Sequence, residues 1–148
     1  MVGSPSTTLE TIRRLLLGVL VFGMAGQTTE LVLMNHFEEW EQWIPFAGLG
    51  VSLLALLWFA LARSSGATRV FRICMFLLMI IGATGTILHY RANMEFQLEM
   101  DSTLSGMALM LKALHAKAPP ALAPGNMALL GLLGLISTLG INQASQQV

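Results

Sequence analysis

The sequence predicts an all-α integral membrane protein: a four-transmembrane-helix bundle with a short amphipathic interfacial helix between its third and fourth spans. Three observations carry that prediction. The 148 residues are 55% hydrophobic, with mean hydropathy +0.69. Only 11% are charged, whereas soluble domains carry about a quarter. Four apolar stretches, near 15–35, 44–62, 70–90 and 124–141, reach or approach the roughly 20 residues that cross a bilayer. Together they leave no length for a separate soluble domain, so residues 1–148 read as one membrane domain.

The first span is expected over about 12–35. Arg13–Arg14 followed by LLLGVLVFGMAG resembles a secretory leader. The apolar run continues through ELVLM, beyond the usual leader length, so an uncleaved span is expected. HFEEWEQW then forms an acidic link whose Trp40 and Trp43 suit the headgroup layer, where an indole can be half wet. The second span covers about 44–62, with Pro45 in its first turn, where a missing N–H costs little.

SSGAT (64–68) turns the chain into a third span over about 70–90. The outer segment, 91–123, begins by continuing that helix, because Arg91, Glu95 and Glu99 recur every four residues. Asp101 or Ser102 is expected to cap a short helix with Leu104, Met107, Leu111 and Leu114 on one apolar face. Lys112 and His115 lie off that face, which suits the membrane interface. APPALAPG (118–125) breaks the helix, and Pro124 opens a fourth span to about 141.

Charge sets orientation and excludes some functions. The formal net charge is zero, so no basic surface points to nucleic acid. Arg13, Arg14, Arg63, Arg69 and Arg72 fall at one set of span ends, against Arg91, Lys112 and Lys117 at the other. The positive-inside rule then puts both termini in the cytoplasm, in a plasma or inner membrane. All three histidines fall at the outer face. The lone Cys74, within the third span, reads as a small packing residue.

Polar residues inside the spans are the functional signal. On the first span, Gly23, Gly26, Gln27, Glu30 and Met34 share one stripe; on the third, Gly82, Gly85, Thr86, His89 and Asn93 do the same. Glu30 stands about 24 Å above Arg14 and His89 about 25 Å above Arg72, so the two share a depth. Small residues let helices approach closely in lipid. The two stripes are therefore expected to meet, with Glu30 beside His89 and with Gln27, Thr86 and Asn93 nearby. An ionisable group at membrane depth points to a site, although the same residues could serve as interhelical fasteners.

A second constellation is imidazole with carboxylate: His36, His89, Glu39, Glu95 and Glu99 suit a divalent metal. Two histidines, His36 and His89, also match the axial pair of a haem. No HExxH or paired E-x-x-H supports either. No nucleophile has a base at its depth, so an enzyme is disfavoured.

The leading expectation is a non-enzymatic membrane subunit or binding protein whose outer face contacts a protein partner, a ligand or a second copy of the chain. Glu30, Gln27, His89, Asn93, Thr86, Trp40 and Trp43 are its candidate contacts. The alternatives are a metal- or haem-dependent redox protein using His89 and His36, and a proton- or cation-coupled transporter with Glu30 titrating.

Overall fold

The computed structural model describes residues 5–116 and 122–141. Among them every regular element is helical: α1 (Pro5–Leu33), α2 (Trp43–Ala62), α3 (Ser65–Met100), α4 (Gly106–Leu114) and α5 (Leu122–Ser137). A single 3₁₀ turn, Trp40–Gln42, leads into α2. By length and composition, α1, α2 with this turn, and α3 are long and apolar enough to cross a membrane. Phe22, Leu33, Leu54 and Leu61 stand exposed on α1 and α2, which is compatible with lipid contact.

Local chemistry explains where the helices stop. Asn35 takes a left-handed conformation (φ 52°), which asparagine tolerates better than most residues. The His36 N–H then folds back onto the Leu31 carbonyl (2.9 Å), ending α1 and turning His36 over its last turn. Arg63 ends α2 in the same left-handed region (φ 46°). Ser64 caps α3 by accepting from the Ala67 N–H at 3.2 Å.

Several expected boundaries move. The helix of the first span, α1, begins before 12 and ends at 33 rather than 35, while α3 runs on to Met100, the continuation expected for the start of the outer segment. At 36 residues, α3 is about 54 Å long, well beyond a hydrocarbon core of about 30 Å. Neither Asp101 nor Ser102 caps the next helix: Ser105 holds the N-cap position of α4, and Asp101 ends α3. The Thr103 hydroxyl and N–H hold the Asp101 carboxyl below its ordinary range, with Lys112 at 3.9 Å adding to the effect. Asn93 donates to the Ala113 carbonyl (3.2 Å), fastening α4 to α3. Lys117 and 118–121 of APPALAPG lie outside the described residues.

The largest correction concerns helix order. α1 and α3 do not pack on each other; α5 runs between them, antiparallel to both, and α2 covers the far side of α3. Gly23 of the first span's stripe and Gly82 and Gly85 of the third span's receive α5, whereas Gly26 faces open space. Leu130 fills the space over Gly23, and a Cβ at Gly82 would stand 2.5 Å from the Pro124 oxygen and the Ala128 nitrogen. At Gly131 an added Cβ would come within 2.5 Å of the Met75 carbonyl. Backbone meets backbone there, so only glycine fits. Leu20, Met24, Met75, Leu78, Met127 and Leu130 form the core along this seam, with Cys74 half-buried beside it.

Two arginines close one end of the seam. Arg72 donates through Nε to Thr138 Oγ1 (2.9 Å) and through Nη2 to the Thr138 carbonyl (2.7 Å). Arg13 donates to the carbonyls of Ser137 (2.9 Å) and Leu139 (3.1 Å). The last carbonyls of a helix lack intrahelical donors, and cations there also face the negative end of the helix dipole. This arginine end is therefore fully fastened.

Candidate functional site

The other end of the bundle, where α1 ends and α5 begins, holds a recess among the described residues. At 16 residues α5 is about 24 Å long, shorter than its neighbours. Where it starts, a recess of about 520 Å³ lies between α1, α3 and the approach to α2. Leu31 of α1 and Met34 just beyond its end wall one side, and Ile81, Gly85 and Leu88 of α3 the other. Pro124 and Met127 of α5 contribute below, and Glu30, His36, Glu41, Gln42 and His89 supply the polar lining. That size and mixture fall in the range of small-molecule sites.

Gln27 is the residue that sets this recess apart. It is 1% exposed and lines the recess. Its Oε1 accepts from Asn126 Nδ2 at 2.6 Å, joining α1 to α5. Its Nε2 has no partner, the one such buried side-chain polar atom among the described residues. An unmade hydrogen bond on a buried donor costs about 1–3 kcal/mol, more reason to look for an acceptor in the recess.

The expected contacts sort into three groups. Gln27, Glu30 and His89 all line the recess. Glu30 and His89 form no ion pair, because α5 keeps their helices apart and both side chains are exposed. The ring near His89 is instead His36, at 6.1 Å between centroids and tilted by 31°. The Asn35 turn delivers it there. Burial lowers the His36 pKa, and the neighbouring His89 lowers it further.

Thr86 and Asn93 are not among the residues that line the recess. The Thr86 hydroxyl donates to the Gly82 carbonyl one turn back (3.0 Å), and Asn93 holds α4. Trp40 and Trp43 lie outside the recess lining, with exposed indoles. Trp43 joins an aromatic group with Phe46 (5.7 Å) and Phe37 (6.4 Å). Below them Gln42 Oε1 accepts from the Glu38 N–H at 2.9 Å, fixing the turn that brings Glu41 to the rim.

The expected metal set does not assemble. Among the described residues, no three His, Cys, Asp or Glu side chains converge as ligands. Glu39, Glu95 and Glu99 are exposed and away from the recess, leaving His36 and His89 as an isolated ring pair.

Asn126 is the contact that sequence reasoning overlooked. Its signal was available: an amide immediately after Pro124–Gly125 in an otherwise apolar helix. No protein-family model, curated protein or solved structure matches the chain.

Proposed function

We propose that the chain is a four-span membrane protein with both termini cytoplasmic, acting as a non-enzymatic binding protein or subunit through the recess at its histidine end. Membrane passage by α5 is supported by its place in the seam, gripped by Arg13 and Arg72 below and seated on Gly82 and Gly85 above. An interfacial position for α4 is supported by the exposed apolar side chains of Met107, Leu111 and Leu114. The five arginines near the opposite end support the orientation.

The observation that carries the binding role is the combination at Gln27. Gln27, whose buried amide nitrogen has no acceptor among the described residues, lines a recess with apolar walls and carboxylates. Packing alone gives no reason to keep such a donor, because an apolar residue of similar size would avoid the penalty.

The test is co-purification. Native mass spectrometry of the full chain, extracted from its own membranes in mild detergent, is expected to show a bound small molecule. Ala92, exposed at the recess, offers the control: Ala92→Trp places an indole in the recess and should release that molecule. Wild-type protein that carries nothing, or an Ala92→Trp variant that retains the same adduct, would defeat the proposal.

A further inference from the structure

The recess also has a charge character, and, granted that it binds a ligand, that character selects one. Among the described residues no lysine or arginine lines it, while Glu30 and Glu41 both do. An anionic headgroup would therefore meet two carboxylates and, among the described residues, no lysine or arginine to balance them. Burial, and after it the neighbouring His89, hold the His36 pKa below its ordinary value, so this ring is less ready to carry a positive charge than a free imidazole.

The remaining features give the rest of the ligand. Gln27 Nε2 offers a hydrogen bond, so the bound group carries an acceptor oxygen. Glu30 follows Gln27 by three residues, about 4.5 Å along the helix, so acceptor and cation stand only a few bonds apart. Leu31, Met34, Ile81, Leu88 and Met127 offer an apolar channel for a tail.

We infer that the recess takes a cationic amphiphile: an amine or ammonium head at Glu30 and Glu41, an acceptor oxygen on Gln27 Nε2, and an apolar tail between α1 and α3. Each part answers a separate feature. The carboxylates select the charge, the buried amide selects the oxygen, and the walls select the chain.

Four twelve-carbon probes separate these features by equilibrium dialysis against the full chain in a non-ionic detergent. Lauroylcholine has the cation and the carbonyl, dodecyltrimethylammonium only the cation, N-methyldodecanamide only the carbonyl, and laurate the opposite charge. Lauroylcholine should bind saturably, with dodecyltrimethylammonium and N-methyldodecanamide each weaker and laurate not bound. Glu30→Gln/Glu41→Gln should weaken lauroylcholine by roughly tenfold or more, the scale of a lost charge-assisted contact. Gln27→Leu should reduce lauroylcholine to the affinity of dodecyltrimethylammonium, a readout that stands even where the double variant folds poorly. Laurate binding as tightly as lauroylcholine, or full affinity after loss of both carboxylates, would overturn the cationic class; Ala92-sensitive binding would then leave the recess itself intact. The absence of saturable binding by all four would also overturn the class, with the broader binding role decided separately by co-purification.

Discussion

At the arginine end, Ser137 and Thr138 are buried, and the guanidinium groups of Arg13 and Arg72 supply donors to the terminal carbonyls around them. At the histidine end Gln27 is equally buried, yet only its oxygen is engaged. Both places solve the same problem, the loose end of α5 in an apolar bundle. One solution is complete within the chain. The other leaves a donor over beside the recess, among the described residues, and on that difference our proposal of a binding end rests.

The sharpest way to break that comparison is to cut the fastening. Arg72→Met keeps the aliphatic stem and removes both bonds to Thr138, one of them to a main-chain carbonyl. Hydrogen bonds from a charged donor contribute about 1.5–3 kcal/mol, so a loss of about 2 kcal/mol is expected. Thermal unfolding in detergent, followed by circular dichroism, measures it. A variant as stable as the wild type would mean that the arginine end is no better fastened than the histidine end.

The Gln27–Asn126 pair should behave differently. Gln27→Leu alone strands Asn126 Nδ2, with an expected cost of about 1 kcal/mol. Adding Asn126→Leu removes both partners, and the double variant should return to within roughly 0.5 kcal/mol of wild type or exceed it, since an apolar pair leaves nothing unsatisfied. The same double variant should lose the co-purifying ligand. Were it instead to lose as much stability as Arg72→Met, the amide pair would be a second clamp.

This contrast was only partly readable in the sequence. Helical class and the three long apolar helices follow from run length and the scarcity of charge, which lipid imposes directly. The small-residue stripes were legible too, but a stripe says that a helix approaches closely and not which one. Gly131 and Gly134 let α5 come close to Met75 of α3, and Gly134 also to Leu20 of α1, in the position between those helices. Glu30 and His89 could be placed at one depth, because rise along a helix is fixed. Their separation could not, because it depends on that intervening helix. His36 was paired with His89 as a possible metal or haem ligand at the outer face, but the left-handed turn at Asn35 that sets it on the recess was not legible.

The smallest expected effect, and the one confined to the histidine end, is that of pH on His36. Its folded-state pKa lies below the ordinary 6.5, so the unfolded chain binds a proton before the folded one does. The corresponding stability is fully present above pH 6.5 and is lost as pH falls from there through the lowered folded value. His89 opposes the incoming charge, whereas Glu30 and Glu41 on the same recess would welcome it, so the loss should be modest. Melting curves between roughly pH 5 and 8 for the wild type and His36→Gln isolate this contribution. The wild type should lose stability relative to the variant on the acid side of that range, while Arg72→Met should show the same pH slope as the wild type, because its end contains no imidazole. Parallel curves for wild type and His36→Gln would mean that the ring pair is wet enough to titrate freely, and the recess more open to solvent than its apolar walls imply.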